Sequence, residues 1–293
     1  MGAVVEKNVK RSTADRGALE HYADPSYYTA TYANRLDDVR FYERMADKFG
    51  GPILEYGAGN GRIALPLARR GHTVTGVDHS RAMARDFEAK REAEEESVKN
   101  RLTIEVGDMR EVTLGKRFEL VLCTFNTALH LNTREDVERF FDKVHRHLRP
   151  SGRFIVDLSV PVAADLARDP EKSQGVPPFR YPGIGVVRYR EIFDYDPITQ
   201  VLDVTMSFVP KDPVRVEKEL RRGFSTKLTH RQFFPREWEA LLHYNGFEVE
   251  SVQGSYSGGA LDRDSDVMIW IARPKSSKVG AAKSRTPTKK KTA

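Results

Sequence analysis

The chain has 293 residues, of which 39% are hydrophobic, enough to bury the core of one large α/β domain or of two smaller ones. Its single cysteine, Cys123, excludes a disulfide framework and a cysteine-rich metal site, and it favours a reducing, cytoplasmic environment. No apolar stretch of about 18 residues occurs, so the sequence predicts neither a membrane span nor a signal peptide.

The net charge of +6 suggests a nucleic-acid partner until its distribution along the chain is considered. Residues 274–293 carry seven Lys or Arg residues and no acidic residue, which leaves the rest of the chain near −1. The composition of this segment predicts a disordered basic tail that either aids solubility or makes weak contact with polyanions. Residues 1–20 are predicted to be flexible, and residues 21–273 form the predicted folded domain.

The first half of this domain has the pattern of an α/β protein. Residues 21–50 are rich in aromatic side chains and predict a helical lid. From residue 51 to residue 158, apolar runs alternate with amphipathic stretches, which is typical of βαβ units around a parallel sheet. The predicted strands are 52–56, 72–77, 102–106, 118–124 and 152–158, and the predicted helices are 61–70, 81–96 and 134–148. This order predicts a doubly wound, Rossmann-like core.

The second half changes to a β-rich pattern. Residues 159–234 contain three segments of nearly alternating polarity, at 185–196, 200–210 and 217–234, which predict an antiparallel insertion with one buried face. Residues 235–273 predict a helix and strands, ending in the apolar run VMIWIARP at 267–274.

The turn after the first predicted strand contains three glycines in the segment EYGAGNG at 55–61. A dinucleotide fingerprint requires G-x-G-x-x-G, but here Gly61 comes one residue early and Arg62 takes its place. Glu55 precedes Gly57 by two residues, so the pattern is E-x-G-x-G-x-G with Gly59 at its centre. This pattern resembles that of the class I methyltransferases that use S-adenosylmethionine, which implies a seven-stranded, mostly parallel sheet with a reversed C-terminal strand.

The ends of the second and third strands carry acids that fit this resemblance. Asp78, followed by His79, lies at the tip of the second strand, where a carboxylate accepts hydrogen bonds from ribose hydroxyls. Asp108 and Met109 follow the third strand, and the resemblance implies that the carboxylate binds the adenine amino group while the backbone of Met109 contacts the ring. A donor without phosphates also predicts that no lysine or arginine lines the glycine loop.

The loop after the fourth strand, CTFNTALHLNT at 123–133, is expected to face the reacting methyl group. Phe125 and Asn126 are predicted to approach the methionine portion of the donor. His130 is predicted to orient or deprotonate an acceptor amine or hydroxyl, with Asn126 as a second catalytic candidate. The alternative for His130 is a structural histidine. The eight histidines show no metal-ligand spacing, so no metal is predicted.

Two further groups of side chains are candidates for the lid and the acceptor site. Tyr28 and Arg35 are predicted to cover the donor, with Arg35 pairing with its carboxylate or with an acidic acceptor, and Tyr32 is predicted to contact the acceptor. Amphipathic helix packing is the alternative for these residues. In the insertion, the predicted acceptor-binding residues are Arg188, Tyr189, His230 and Arg231, with solvent-facing strand positions as the alternative.

The sequence therefore predicts an S-adenosylmethionine-dependent methyltransferase that acts on a small molecule, more readily at nitrogen than at oxygen. The insertion resembles the acceptor-covering sheet of amino-sugar and glycine-type N-methyltransferases. Three alternatives stay open: a small-molecule O-methyltransferase, an RNA-associated protein that uses the basic tail, and a cofactor-binding regulator without turnover. The sequence leaves the oligomeric state open.

Overall fold

The computed structural model describes residues 20–275, which form a large sheet, a small sheet and the helices around them. The strands are β1 (Ile53–Tyr56), β2 (Val74–Asp78), β3 (Leu102–Val106), β4 (Phe118–Cys123), β5 (Leu148–Ser159), β6 (Gln174–Tyr181), β7 (Gly185–Asp196), β8 (Val201–Pro210), β9 (Phe224–Arg231), β10 (Phe247–Gln253) and β11 (Val267–Pro274). The helices are α1 (Pro25–Tyr32), α2 (Asp37–Phe49), α3 (Ala64–Arg69), α4 (Arg81–Glu92), α5 (Glu96–Lys99), α6 (Arg134–His147), α7 (Ala163–Leu166) and α8 (Pro235–Tyr244).

The large sheet has seven strands in the order β10-β11-β5-β4-β1-β2-β3. Strands β1 to β5 are parallel, and β11 runs antiparallel to both of its neighbours. The predicted fold class is confirmed. The reversed strand lies one place in from the edge of the sheet, because β10 pairs with its outer side.

Alternate residues of the central strands pack against helices on opposite faces of the large sheet. On β4, Val121 and Cys123 contact the cluster built with α6 and α8, whereas Leu120 and Leu122 contact the cluster built with α2, α3 and α4. Strands buried on both faces read as continuous apolar runs, which is why the sequence pattern identified them. The result is a three-layer core whose strands end together at the edge that carries the site.

The small sheet has the order β6-β7-β8-β9 and is antiparallel throughout. Its inner face packs against α1, where the buried side chains of Tyr27, Tyr181 and Phe208 meet. The predicted antiparallel insertion is present, but β6 was not predicted as a strand. Pro177 and Pro178 interrupt it and shift its register against β7, which is tolerated because β6 is an edge strand.

Some predicted boundaries differ from the structure. The helix predicted at 81–96 is divided, because α4 ends at Glu92 and α5 begins at Glu96. The boundary predicted between the domain and its tail falls inside β11, which continues to Pro274. Residues 1–19 and 276–293, with the predicted flexible N-terminus and almost all of the predicted basic tail, lie outside the described residues.

Candidate active site

The glycine loop between β1 and α3 has its shape because three glycines adopt positive φ angles. The φ values are 66° at Gly57, 56° at Gly59 and 83° at Gly61, in the region that side chains with a Cβ rarely occupy. A Cβ on Gly57 would lie 2.3 Å from Oγ1 of Thr127, and a Cβ on Gly61 would lie 2.7 Å from the Phe87 ring. The loop therefore packs closely against the loop after β4 on one side and against α4 on the other.

Asp78 closes this loop from the tip of β2. Its Oδ2 accepts a hydrogen bond from the backbone N–H of Gly59 at 2.7 Å, and its Oδ1 accepts one from Ser80 at 2.7 Å. Burial raises the pKa of Asp78, and the two backbone donors oppose this shift. Each oxygen keeps a second lone pair, so the carboxylate can still accept hydrogen bonds from vicinal hydroxyls.

A cavity of about 1040 Å³, its open mouth included, lies above the glycine loop; we call it the glycine-loop cavity. Among the residues predicted to bind the donor, the following line it: Glu55, Gly57, Gly59, Asp78, His79, Asp108, Met109, Phe125 and Tyr28. The predicted catalytic residue His130 also lines it. Gly61 and Arg35, which were also predicted to bind the donor, do not line it.

Glu55 is buried at the centre of the large sheet and faces this cavity. Its Oε1 accepts a hydrogen bond from Thr124 at 2.9 Å, whereas Oε2 is buried and has no partner among the described residues. Burial raises the pKa of Glu55 to about 8. An unsatisfied carboxylate oxygen at this place fits an ammonium group of a bound donor, because a buried acid ionises readily only when a cation approaches.

Arg62 lines the cavity, which the sequence reasoning missed. Its guanidinium donates to both oxygens of the buried Asp38, at 2.9 and 2.6 Å, and lies 4.7 Å from the centre of the Phe125 ring. The expectation that no lysine or arginine would line the loop is therefore wrong. The sequence could have indicated an arginine at this loop, because Arg62 directly follows the third glycine.

Asp108 lies at the other end of the cavity, after β3. Burial acts to raise the pKa of Asp108, but hydrogen bonds from Arg110 outweigh this and hold the pKa below its usual value. The Nη2 of Arg110 lies 2.6 Å from the carboxylate, and Nη1 lies 2.8 Å from Asp136 at the start of α6. Asp108 is thus held ionised and fixed, which suits it to accept a hydrogen bond from an amino group.

The turn after β4 brings two non-glycine residues into the left-handed region, Phe125 at φ 51° and Asn126 at φ 66°. The side chain of Asn126 is clamped to Ser159, since its Oδ1 accepts from the Ser159 backbone at 2.6 Å and its Nδ2 donates to the hydroxyl at 2.9 Å. Its backbone N–H donates to the buried Asp157 at 3.2 Å. Asn126 does not line the glycine-loop cavity, so its side chain supports the turn from outside.

His130 lies beside two other histidines at the junction of the two sheets. Its Nε2 is 3.2 Å from the hydroxyl of Tyr22, and its ring centre is 4.7 Å from that of His230 on β9. Burial, with a smaller effect of the nearby His21, lowers the pKa of His130 to about 4. Burial also lowers the pKa of His21 to about 4 and that of His230 well below its usual value. All three imidazoles are therefore neutral near pH 7.

The tyrosines of α1 take different positions, although they are close in sequence. Tyr28 lines the cavity, and burial raises its pKa to about 12. Tyr32 lies behind it, with its ring centre 4.8 Å from Tyr28 and 4.7 Å from Phe125. Arg35 lies 4.8 Å from the centre of the Phe125 ring and pairs with Asp38 at 3.4 Å, on the side away from the cavity.

The predicted acceptor residues of the small sheet divide by face. Tyr189 lies on the inner face, stacked on Phe208 with ring centres 5.0 Å apart, and His230 meets His130. Arg188 is exposed on the outer face. Arg231 forms a salt bridge with Glu237 of α8 at 2.7 Å, so Glu237 neutralises its charge.

Within residues 20–275 there is no group of three or more His, Cys, Asp or Glu side chains placed to hold a metal ion. In the same part of the chain, no helix is both long and apolar enough to cross a membrane.

A family profile described as a methyltransferase domain matches residues 53–152, which run from β1 into β5 and include the glycine loop, Asp78 and Asp108. Residues 53–152 therefore carry a methyltransferase domain. This match agrees with the resemblance of the glycine loop to methyltransferases that use S-adenosylmethionine.

Three curated relatives match this chain over part of their length. They are the cypemycin N-terminal methyltransferase of a Streptomyces species (29% identical, 44% of this chain and 50% of the relative), the dTDP-4-amino-2,3,4,6-tetradeoxy-D-glucose N,N-dimethyltransferase of Saccharopolyspora spinosa (28%, 36% and 39%) and the ubiquinone biosynthesis O-methyltransferase of Rickettsia conorii (30%, 51% and 47%). The chain spans half or less of the length of each.

Two solved structures share the fold over most of this chain. The CcbJ methyltransferase of Streptomyces caelestis is 21% identical with a TM-score of 0.70, and the match covers 86% of this chain and 99% of the other. The amino pentose methyltransferase CalS10 of Micromonospora echinaspora, solved with S-adenosylmethionine bound, is 20% identical with a TM-score of 0.61, covering 85% and 96%. At these identities the likeness shows a shared fold.

Proposed function

We propose that this methyltransferase transfers a methyl group from S-adenosylmethionine to an amine nitrogen of a small-molecule acceptor. The observation that carries the proposal is the lining of the glycine-loop cavity. The same cavity holds the acids expected for the donor, Asp78 and Glu55, and the neutral His130 under the small sheet.

The residues of the cavity fit the donor part by part. Asp78 accepts hydrogen bonds from the ribose hydroxyls, and Asp108 with Met109 holds the adenine. The free Oε2 of Glu55 pairs with the donor's ammonium group. Arg62, in place of the predicted Arg35, binds the donor's carboxylate through its Nε, which has no partner among the described residues while its two terminal nitrogens hold Asp38. S-Adenosylmethionine supplies an activated methyl group, so the protein mainly contributes alignment, worth about 7–11 kcal/mol in the best cases.

His130 and the small sheet act on the acceptor. A neutral imidazole accepts a hydrogen bond from the acceptor's N–H and directs the nitrogen lone pair toward the methyl carbon. The phenol of Tyr22, 3.2 Å from Nε2, fixes the orientation of the ring. The buried Tyr28 forms part of the cavity wall and keeps bulk water from that side of the reacting atoms.

The amine is favoured by two of the three relatives, whose names describe methylation of an N-terminus and of an amino sugar. The third relative favours oxygen as the acceptor atom, and this is the second candidate function. Incubating the protein with labelled S-adenosylmethionine and a panel of amines, amino acids and phenols tests both. Label in an amine supports the proposal. A separate incubation contains RNA in place of the panel. Label found only in phenols or only in RNA, or no transfer at all, overturns the proposal.

A further inference from the structure

Arg62, which lines the glycine-loop cavity, is held by a buried carboxylate of helix α2. Its Nη1 and Nη2 donate to the two oxygens of Asp38 at 2.9 and 2.6 Å. The side chain of Asp38 is fully buried, whereas 14% of the Arg62 side chain is exposed. Asp38 does not line the cavity itself. It therefore acts on a ligand in the cavity only through a neighbouring residue.

The N–H groups of the Arg62 guanidinium are divided between two edges of its plane. One N–H of Nη1 and one of Nη2 form the fork that holds Asp38, and Nη1 also lies 3.3 Å from the backbone carbonyl oxygen of Arg35, to which it donates. The N–H of Nε has no partner among the described residues. Because Nε and Nη2 lie on the same edge of the planar group, their remaining N–H groups form a second fork, the Nε–Nη2 fork. Such a fork matches the two oxygens of a carboxylate.

The neighbours of Arg62 favour an anion at this fork. Arg35 is a second cation on Asp38, with its Nε 3.4 Å from Oδ2, so the two arginines and this acid together carry one positive charge. The ring of Phe125 lies 4.8 Å from the guanidinium of Arg35 and 4.7 Å from that of Arg62. The neutral hydroxyl of Tyr28 also interacts with Arg62, but a carboxylate is the stronger partner. Asp38 thus orients the Arg62 guanidinium while a positive charge remains for a ligand.

We propose that Asp38 is a positioning residue, which directs the Nε–Nη2 fork of Arg62 toward the carboxylate of S-adenosylmethionine. This assignment rests on the proposed function, in which Arg62 binds that carboxylate. A long side chain loses rotamer freedom when it binds a ligand, and Asp38 removes this freedom already in the folded protein. Replacing Asp38 should therefore weaken ligands that have the carboxylate and spare ligands that lack it.

Calorimetry with two ligands that differ only in the carboxylate tests this assignment. They are S-adenosylhomocysteine and its decarboxylated form, which keeps the adenosine, the thioether and the amine. Wild type should prefer S-adenosylhomocysteine by about tenfold or more, since hydrogen bonds between charged groups are lost with the other ligand. Asp38→Asn should reduce this preference to about threefold or less, because an amide no longer accepts from both terminal nitrogens of Arg62. Asp37→Asn removes the same charge at the adjacent exposed position and should keep the preference.

A second variant separates position from charge. Asp38→Asn leaves the buried guanidinium of Arg62 without its partner, which lowers stability. Asp38→Glu keeps the charge and the ion pair, but its extra methylene group displaces the guanidinium. It should also reduce the preference to about threefold or less, since a small misplacement of a binding group weakens the contacts that it makes. Circular dichroism checks that each variant is folded.

An unchanged preference in folded Asp38→Asn or in Asp38→Glu would overturn the proposal. An increased preference in Asp38→Asn would also overturn it, because Asp38 would then neutralise Arg62 instead of orienting it. Loss of the preference in Asp37→Asn as well would assign the effect to overall charge, and equal binding of both ligands by wild type would leave Asp38 nothing to position.

The calorimetry requires no acceptor, so the two proposals can fail separately. A labelled-donor panel without any methylated amine would contradict the proposed function, while the ligand preference would still decide the role of Asp38. If wild type bound neither ligand, the donor site itself would be contradicted, and the role of Asp38 with it.

Discussion

The two acids at the centre of the glycine-loop cavity are both buried, but their carboxylates are satisfied differently. Asp78 accepts backbone hydrogen bonds from Gly59 and Ser80 on its two oxygens. Glu55 accepts one from Thr124, and its other oxygen has no partner. We infer that Asp78 is a preformed site for neutral hydroxyls, whereas Glu55 becomes fully ionised only when the donor's ammonium group arrives.

This difference predicts a pH dependence of donor binding that Glu55→Gln removes. The pKa of Glu55 is raised from 4.5 to about 8, so the free protein carries a protonated Glu55 near pH 6. Between about pH 6 and pH 8, wild-type affinity for S-adenosylmethionine should rise with pH, by at most about tenfold per unit, as the proton released on binding becomes easier to lose. Glu55→Gln should bind more weakly at pH 8 with a flatter profile, because no proton is released. Equal slopes in calorimetric titrations of the two proteins would contradict this role.

The same shift has a consequence for stability. A carboxyl whose folded pKa lies above its unfolded value stabilises the fold below about pH 4.5 and loses this contribution as the pH rises through about 8. Glu55→Gln should therefore show a smaller loss of unfolding free energy than wild type between about pH 6 and pH 9, without donor. Urea denaturation across that range measures it, and parallel curves for the two proteins would rule out the raised pKa.

His130 gives a third prediction for a single residue. If it orients or deprotonates the acceptor, His130→Ala should lower kcat by about 10²- to 10⁴-fold and leave the donor Kd almost unchanged. A histidine with an ordinary pKa would make kcat fall below about pH 6.5. Because burial lowers the pKa of His130 to about 4, we expect kcat to fall only near pH 4. Tyr22→Phe, which removes only the contact to Nε2, should have a smaller effect. If kcat of His130→Ala changes by less than about threefold, His130 has a structural role and no role in catalysis.

At the scale of elements, helix α1 joins the cavity to the small sheet. Tyr28 faces the cavity, while Tyr27 stacks on Tyr181 with ring centres 4.8 Å apart. Asp24 caps the helix by accepting from the backbone of Ser26 at 3.0 Å and of Tyr27 at 3.2 Å, and it accepts from the Tyr181 hydroxyl at 2.8 Å. One carboxylate therefore fixes both the start of the helix and its contact with the sheet.

Asp24→Ala should loosen this helix without altering the core. The loss of an N-cap costs about 0.5–2 kcal/mol, and the Tyr181 hydroxyl loses its partner as well. We expect faster amide exchange in residues 25–32 and a donor affinity lower by about threefold to thirtyfold, since the cover of the cavity is less ordered. Asp37→Ala, at the exposed start of α2, is the matched control. Unchanged exchange in 25–32 would show that the helix is held by its tyrosines alone.

The sequence predicted elements best where the pattern is local. The glycine loop, β1 to β4 and the acids at the strand ends follow from apolar runs and short spacings, and the structure places Asp78 and Asp108 in one cavity. Long-range placement was not predictable in this way. His21, His130 and His230 are separated by about a hundred residues each and meet only because β9 folds back onto the loop after β4. Asn126 has the predicted position in sequence, but its left-handed turn directs the amide to Ser159.

At the scale of the whole molecule, the charge of the chain is unevenly distributed, and the basic residues near the C-terminus follow the last strand. Ending the chain after Lys275 removes residues 276–293, with six Lys or Arg residues, and keeps the contact of Lys275 with His243. Turnover of a small acceptor should stay within about twofold, because this segment is predicted to be disordered and the cavity is enclosed by described residues. A large loss on a small acceptor would contradict the prediction, and a salt-sensitive loss confined to RNA would support the RNA-associated alternative.

Calorimetry with S-adenosylmethionine on wild type and on Asp78→Ala measures whether the glycine-loop cavity binds the donor through Asp78. Two hydrogen bonds to a charged acceptor contribute about 1.5–3 kcal/mol each, so the variant should lose at least about a hundredfold in affinity. Circular dichroism should show that the variant keeps its fold. Wild type should bind S-adenosylmethionine and not NAD. An unchanged affinity in a folded Asp78→Ala, or a wild type that prefers NAD, would contradict the account.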